Sequence, residues 1–300
     1  MLKNFFSLNE PYKEIASQKE FEEQLSISKH LTNLLYRPDV LKTKWENSKL
    51  KIKETKFTNV SFTKTELQKV YFENCEFIDC LMIGTKIIDC EFHNCSFKNV
   101  NTHKIKINNT YINPRSFERN ITDFKKANIC VHLFHELLNN SRDFEQSKFA
   151  RYAQYNFEKW RTRNIYKEAI LDDDKKVSIR EFLATYPINL LFKWSFGFGL
   201  RMRNFLVTFT IVFIAFFIHN KYNWQSYKFV SKGVDIQGIS IDSTNVSSNL
   251  FYTLEATTKL IDSQLQPTSE YGISWLLIQS IVGFVLLSAL VTIIINRFVK

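Results

Sequence analysis

Cysteines recur at intervals of five or ten residues in the first third of the chain, at Cys75, Cys80, Cys90 and Cys95. Thiols at short, regular spacing are candidate zinc ligands or disulfide partners. The stretch His132-Leu-Phe-His135-Glu136 is a second candidate, but it lacks the H-E-x-x-H order that places two imidazoles on one helix face around zinc. The chemistry of both groups depends on the elements that carry them.

The residues around the cysteines follow a five-residue period from Phe57 to Phe117. Every fifth residue is apolar, with a polar exception at Thr102, and a small or β-branched residue lies two positions before each of those up to Ile112. Neither a helix nor a strand has a period of five, so the chain must turn a corner once per repeat and point two side chains inward. All four cysteines occupy the small inward position, where a free thiol packs as a small hydrophobe. We therefore predict core residues and no metal site.

The units KFTNV, YFENC, EFIDC, EFHNC and SFKNV resemble the pentapeptide-repeat family. The resemblance implies a right-handed quadrilateral β-helix in which four repeats form one square coil, with about three coils stacked at the roughly 4.8 Å strand spacing. Cys75 then lies directly beneath Cys95. Residues 51–120 hold slightly more Lys and Arg than Asp and Glu. This balance disfavours the DNA mimicry that acidic members of the family show.

Two apolar runs lie at the end of the chain, and neither contains Asp, Glu, Lys or Arg: NFLVTFTIVFIAFFIH, residues 204–219, and ISWLLIQSIVGFVLLSALVTIIIN, residues 273–296. About 20 such residues cross a hydrocarbon core of roughly 30 Å. The second run is long enough by itself. The first needs flanking residues, and a buried helix of a soluble protein is the alternative for it. We predict transmembrane spans at about residues 203–222 and 273–296.

Charge and the start of the chain predict a multi-pass protein of the inner (plasma) membrane, in contact with membrane lipid and with both termini cytosolic. No secretory signal follows Met1, and Arg201, Arg203 and Arg297 flank the spans, although four lysines between the spans weaken this assignment. The net charge of +10 suits an anionic leaflet. No aromatic RNA-binding motif accompanies it, so we expect no nucleic acid partner.

The remaining patterns divide the chain into four regions. After Asn120 the spacing becomes helical and predicts two helices with a turn at Asn139 to Arg142, which form an antiparallel hairpin. Gly197 and Gly199 lie between aromatic residues before the first span and predict a bend at the membrane interface. The predicted regions are an N-terminal helical segment at 1–50, the repeat β-helix at 51–119, a helical connector at 120–185 and a two-helix transmembrane domain at 186–300.

The order of these parts resembles bacterial pentapeptide-repeat proteins fused to a two-helix, potassium-channel-like pore domain. FARYAQYNFEKWRTR, FGFG and SSNLFYTLEATTKLID stand at the corresponding places. The resemblance implies a homotetramer and a re-entrant pore loop between the spans. Such a loop needs a short helix capped at Ser247, Ser248 or Asn249, with its apolar residues packed against the spans. The apolar residues expected to pack are Leu250, Phe251 and Leu254, and the pore loop is expected at Glu255, Thr257, Thr258, Lys259 and Asp262.

The filter that the resemblance implies continues T-x-G-Y-G, whereas this sequence has Thr257-Thr258-Lys259-Leu260-Ile261-Asp262, without glycine. Glycines permit the dihedrals that align carbonyl oxygens around a dehydrated K⁺. We therefore expect no K⁺ selectivity, and a ring of Lys259 side chains would impede cations. The second span carries candidate pore-lining residues, with ordinary helix packing as the alternative: Gln279, Ser280, Gly283, Ser288 and Thr292.

Two functions from different classes follow from these patterns. The first is an oligomeric ion channel-like or pore-forming protein whose cytosolic repeat domain binds a protein or small-molecule trigger. A related use is a bacterial effector that permeabilises the inner membrane under stress or phage attack. The second is a membrane-anchored binding scaffold without conduction. We find no phosphate loop, nucleophile motif or carboxylate pair, so we expect neither an enzyme nor a cofactor.

Overall fold

The computed structural model describes residues 4–44, 48–172, 177–229, 246–258 and 265–298. The chain divides into two compact units, Met1–Ile188 and Asn189–Lys300. Each unit is described by itself below.

The first unit is a β-solenoid with parallel sheets. Its first sheet has five strands, one per coil, in the order β1 (Lys13–Ile15), β2 (His30–Tyr36), β5 (Lys56–Ser61), β8 (Glu76–Ile78) and β11 (Ser96–Lys98). The second sheet contains β3 (Val40–Lys42), β6 (Glu66–Gln68), β9 (Lys86–Ile88) and β12 (Lys106–Asn108), and the third β4 (Leu50–Lys53), β7 (Val70–Glu73), β10 (Glu91–His93) and β13 (Tyr111–Ile112). Isolated parallel bridges from Ser61 to Leu81 and from Leu81 to Asn101 form the fourth side.

The core of the solenoid is the column of side chains that the five-residue period predicts. Phe57 pairs with Phe77 and Phe77 with Phe97, so each regular coil takes 20 residues. Their rings stack with centroids 4.8 and 4.9 Å apart, and Phe117 continues the column at 4.1 Å. Both inward positions of every repeat are buried, which confirms the prediction of two inward side chains per corner. Burial of each such ring contributes about 1.5–3 kcal/mol.

Each corner of the solenoid needs one residue in the left-handed region of backbone conformation. These residues have φ between +47° and +64° at Asn59, Lys64, Lys69, Asn74, Asp79, Gly84, Asp89, Asn94, Asn99, Lys104 and Asn109. Asn and Asp adopt this conformation at lower cost than other residues with a Cβ, which explains their frequency in the units. The corners also bond from coil to coil, since the Asn99 amide donates to the Asp79 carboxylate at 2.5 Å.

The solenoid starts earlier than the repeat pattern predicts. Residues 1–50 were expected to be helical, but only α1 (Gln18–Ile27) is, and β1, β2 and β3 lie in the same segment. The stretch His30–Tyr36 reads as helix by its local spacing, yet it pairs in parallel with β5 and buries Leu31 and Leu34 on the Phe column. Pairing and burial override local preference here. The solenoid therefore has about five coils instead of three.

Side-chain amides close both ends of the solenoid. At the last coil, the Thr110 N–H donates to Asn140 Oδ1 at 2.9 Å and Asn140 Nδ2 donates to the Thr110 carbonyl at 2.7 Å. Asn120 makes the same pair of bonds with Val100, at 2.7 and 3.0 Å. At the first coil, Gln18 Nε2 donates to the Lys42 carbonyl at 2.6 Å. These amides replace the next strand and leave no free edge at those positions.

A helical hairpin follows the solenoid, as predicted. It consists of α2 (Ala127–Asp143) and α3 (Ser147–Tyr166), which pack on each other and are joined at Phe144–Gln146. The turn thus lies a few residues later than Asn139 to Arg142, because Asn140 and Ser141 are buried inside α2. A π-helical turn, Lys167–Leu171, extends α3.

The second unit is mainly helical. Its helices are α4 (Ile179–Phe196), which begins in the first unit, α5 (Met202–Tyr222), α6 (Val246–Thr258) and α7 (Glu270–Phe298); an antiparallel pair, β14 (Tyr227–Phe229) and β15 (Leu265–Pro267), lies between them in sequence. In the described segments, α5 and α7 are the two helices long and apolar enough to cross a membrane. Only 11 % and 22 % of their apolar windows are buried. Core helices of soluble proteins are mostly buried, so this exposure argues against the soluble alternative for α5.

Candidate functional site

The candidate site is the place where the short helix α6 packs between α5 and α7. With 13 residues, α6 is about 20 Å long, which is too short to cross a bilayer. It contacts both longer helices. The fold therefore contains the three-helix arrangement that the sequence predicts for the end of the chain, with a helix too short to span between two helices long enough to do so.

A buried polar network joins the three helices. Asn220 of α5 donates from Nδ2 to Thr253 Oγ1 at 3.0 Å and to Gln279 Oε1 at 3.4 Å. Gln279 of α7 donates from Nε2 to the Thr253 carbonyl at 3.2 Å and to Thr257 Oγ1 at 2.9 Å. Asn249 of α6 donates to the Phe217 carbonyl of α5 at 3.2 Å. All these polar side chains are buried, so their bonds fix α6 in one position between its neighbours.

Close backbone contact fixes the same position. A Cβ added to Gly283 would lie 1.6 Å from the carbonyl oxygen of Thr257 and 2.7 Å from its carbonyl carbon. Only glycine admits the end of α6 this close to α7. Gly283 is therefore a packing contact between two helices within one protomer.

The predicted orientation of α6 is wrong. Leu250, Phe251 and Leu254 were expected to pack against the spans, but they are 48 %, 51 % and 39 % exposed. The polar face packs inward instead, because its amides and hydroxyls find partners on α5 and α7. The expected cap is also displaced: Ser247, Ser248 and Asn249 lie within the helix, after Val246.

The predicted pore-loop residues occupy the end of α6 and the segment after it. Glu255 and Thr257 are buried, and Thr257 lies between Gln279 and Gly283. The Thr258 hydroxyl donates to the Leu254 carbonyl at 2.8 Å. Lys259 and Asp262 lie outside the described residues. The structure thus places Glu255 and Thr257 within the helix cluster, and it does not describe Lys259 and Asp262.

The predicted pore-lining residues of α7 separate into two groups. Gln279 and Gly283 are buried against α6 within the protomer, which corresponds to the helix-packing alternative. Ser280 is half-buried, and its hydroxyl donates to the Leu276 carbonyl at 2.8 Å. Ser288 and Thr292 are exposed on the single chain. Of the five residues, these two present polar groups on the open surface of α7.

Gly197 and Gly199 form the predicted bend, and it is sharper than glycine pairs usually require. Gly197, Phe198 and Gly199 have φ of +54°, +59° and +72°, three successive residues in the left-handed region. A Cβ at Gly197 would lie 2.6 Å from Arg201 Cβ. Asn296 Nδ2 of α7 donates to the Gly199 carbonyl at 3.2 Å. The bend therefore packs on the end of α7 opposite to the polar network.

The cysteines are buried thiols of the solenoid wall, as their place in the repeat predicts. The Cys75 thiol donates to the Ile52 carbonyl at 3.5 Å and the Cys95 thiol to the Phe72 carbonyl at 3.7 Å. The neighbouring Cys75 side chain, together with burial, raises the pKa of Cys95. Burial raises the pKa of Cys80 to about 12 and that of Cys90 to about 11. Cys80, Cys90 and Cys95 therefore remain thiols near neutral pH and act as packing residues. Across the described ranges, no cluster of His, Cys, Asp and Glu has an arrangement that would hold a metal ion.

Sequence reasoning missed Asn220 and named Asn249 only as a possible helix cap, whereas both residues link α5 to α6. The available signal was the place of Asn220 at the end of an apolar run, since an amide next to hydrocarbon needs a partner. Its partner, Gln279, lies 59 residues later, and that distance hid the pair.

Comparisons with known proteins give no match: no family model matches the chain, and the searches of curated proteins and of solved structures found no match. The structure itself defines the class, a β-solenoid compatible with pentapeptide repeats followed by a helical region with two candidate membrane-spanning helices.

Proposed function

We propose that this protein is an oligomeric membrane pore or channel-like protein in which α5 and α7 cross the bilayer and α6 is a re-entrant helix between them. The observation that carries the proposal is the inward-facing polar network of Asn220, Thr253 and Gln279 beneath the apolar outer surfaces of the same helices. A helix cluster in water has the opposite arrangement. In lipid, buried amides must find partners among neighbouring helices, as these do.

In the proposed topology, the start of α5 and the end of α7 lie on the same side of the membrane. Gly199, just before α5, bonds to Asn296 near the end of α7, whereas Asn220 near the end of α5 bonds to Gln279. The 17 residues from Gln279 to Asn296 cover about 25 Å, close to the thickness of a hydrocarbon core. With Arg201 and Arg203 beside the Gly199 end, we assign that side to the cytosol of an inner membrane.

The proposed pore lies on an axis between protomers, because three helices are too few to enclose water. Ser288 and Thr292 are the predicted lining residues that remain exposed, so we assign them to that axis. Four subunits, and a trigger that binds the solenoid, follow from the resemblance described above. Gating of such a pore under stress or phage attack belongs to the same proposal.

The test is ion flux from lipid vesicles that contain the purified full chain, with K⁺ and Cl⁻ gradients imposed separately. The proposal predicts flux without K⁺ selectivity, and a shift toward cations for Lys259→Glu because a ring of positive charge becomes negative. The matched control is Lys221→Glu at the end of α5. The pore is contradicted if folded, oligomeric protein gives no flux over a range of protein densities and if adding candidate triggers also produces none.

The alternative is a membrane-anchored scaffold, in which α5 and α7 only tether the solenoid. The absence of glycine from Thr257 to Asp262 favours it, since no selectivity filter of the implied type can form. A scaffold predicts that the protein recruits its partner to vesicles without any change in their permeability.

A further inference from the structure

Helix α4 exposes a broad apolar face. In the part of α4 that belongs to the second unit, Leu191 and Trp194 are three residues apart and lie on one side of the helix. Leu191 is 62 % exposed and Trp194 72 % exposed. The polar residues Asn189 and Lys193 lie toward the other side and are only half-exposed. This is the reverse of the pattern that water favours for a surface helix.

Hydrogen bonds fix the end of α4 beside the beginning of α5. Asn204 Nδ2 contacts the Lys193 carbonyl at 3.3 Å and the Trp194 carbonyl at 3.2 Å. The Thr208 hydroxyl donates to the Ser195 carbonyl at 3.0 Å. These bonds satisfy carbonyls that the end of α4 would otherwise leave without partners. Thr208 is six residues from Met202, the start of α5, which corresponds to about 9 Å along the helix.

This distance gives the depth of α4. If α5 enters the bilayer at its first turn, the end of α4 lies within about 9 Å of that point, at the boundary between headgroups and acyl chains, where amphipathic helices bury their apolar faces by about 5–10 Å. Lys193, Arg201 and Arg203 lie near the end of α4 and the start of α5 in sequence. No acidic residue lies between positions 182 and 203. Their charge is complementary to anionic headgroups.

We propose that the α4 face of Leu191 and Trp194 docks on the anionic surface of the lipid bilayer, and that the left-handed bend at Gly197–Gly199 joins this surface helix to α5. The docked helix would couple movements at the membrane surface to the end of α7 through the Gly199–Asn296 contact. The inference rests on the proposed membrane insertion of α5 and α7, and it concerns a different surface.

The test uses the full chain in vesicles that contain lipids with nitroxide labels at shallow or deep positions. A fluorophore is attached to cysteine in Leu191→Cys, with Asn189→Cys on the polar side of the same helix as the matched control and Phe284→Cys on the open face of α7 as a reporter of insertion. The native cysteines are buried and do not compete for the label. The proposal predicts that shallow nitroxides quench the Leu191 probe several-fold more than the Asn189 probe, and that replacing anionic with zwitterionic lipid reduces this difference.

Three results would overturn the inference. Equal quenching of the Leu191 and Asn189 probes, with the Phe284 probe quenched by deep nitroxides, rejects surface docking while membrane insertion stands. If nitroxide lipids do not quench the Leu191 probe and the unlabelled Leu191→Cys thiol cross-links to a second chain, the face contacts protein instead of lipid. A Phe284 probe that no lipid quenches rejects both the inference and the proposed function.

Discussion

Gly283 of α7 lies against the carbonyl group of Thr257 at the end of α6, so closely that a Cβ at residue 283 would be 1.6 Å from the oxygen. Because the contact is backbone to backbone, no side-chain movement relieves a clash there. The contact and the polar network beside it determine where α6 ends.

Gly283→Ala is expected to force α6 away from α7. It should destabilise the helical unit by about 1–3 kcal/mol or more, the cost typical of overpacking. The measurement is thermal unfolding of the full chain in detergent. Ser288→Ala, on the open face of α7, is the control and should change little. A melting temperature for Gly283→Ala equal to that of the wild type would show that α6 does not occupy this position.

Gln279→Leu removes the side chain that bonds to both Asn220 and Thr257. We expect it to destabilise the unit by about 1–3 kcal/mol, because the Asn220 and Thr257 groups stay buried without their partner. Ser280→Ala is the matched control, since that hydroxyl bonds only within its own helix. Hydrogen exchange of the α6 amides measures the effect, and equal protection in both variants would contradict the role of the network.

Asn140→Leu is expected to open the last coil of the solenoid. The substitution leaves the N–H and the carbonyl of Thr110 without partners and costs about 1–3 kcal/mol. Hydrogen exchange at the Thr110 amide measures it directly. Asn139→Leu, on the exposed side of the same helix, is the control. Unchanged protection of Thr110 in Asn140→Leu would mean that the amide does not close the ladder.

The pH dependence of the solenoid includes Glu91. Its hydrogen bond with Lys49, with a second from His93, lowers the pKa of the Glu91 carboxyl below its ordinary value of 4.5. A carboxyl with a lowered pKa in the folded state stabilises the fold above its unfolded pKa and loses that contribution as pH falls through the folded pKa. Acid unfolding followed by circular dichroism should therefore show a smaller loss below pH 4.5 for Glu91→Gln than for the wild type. Glu23→Gln, exposed on α1, is the control, and identical acid limbs for wild type and Glu91→Gln would contradict the assignment.

The sequence predicts the solenoid well where its period is unbroken and poorly where insertions interrupt it. From Phe57 to Ile112 every repeat contributes two inward residues, and all of them are buried. Before residue 50, α1 interrupts the period. Paired residues of β2 and β5 are 26 positions apart instead of the 20 of a regular coil, so local spacing alone does not indicate a coil. Only the tertiary register shows it.

For the second unit, the sequence predicts the helices themselves but not the contacts between them. The lengths of α5 and α7 follow from the apolar runs, and α6 follows from the short amphipathic segment between them. The inward face of α6 was assigned to Leu250, Phe251 and Leu254, because apolar side chains were expected to pack the short helix against the spans. Asn249, Thr253 and Thr257 face inward because their partners, Asn220 and Gln279, come from distant segments.

The central claim is that α7 lines a water-filled pore between protomers. The most direct measurement is ion flux through Ser288→Cys protein in vesicles before and after a charged, water-soluble thiol reagent, with Leu286→Cys, buried against α5, as the control. If α7 lines the pore, the reagent blocks flux through Ser288→Cys and leaves the control unchanged. Flux that persists unchanged after Ser288→Cys is shown to be labelled, or a reagent effect equal in both variants, would contradict a pore lined by this face of α7.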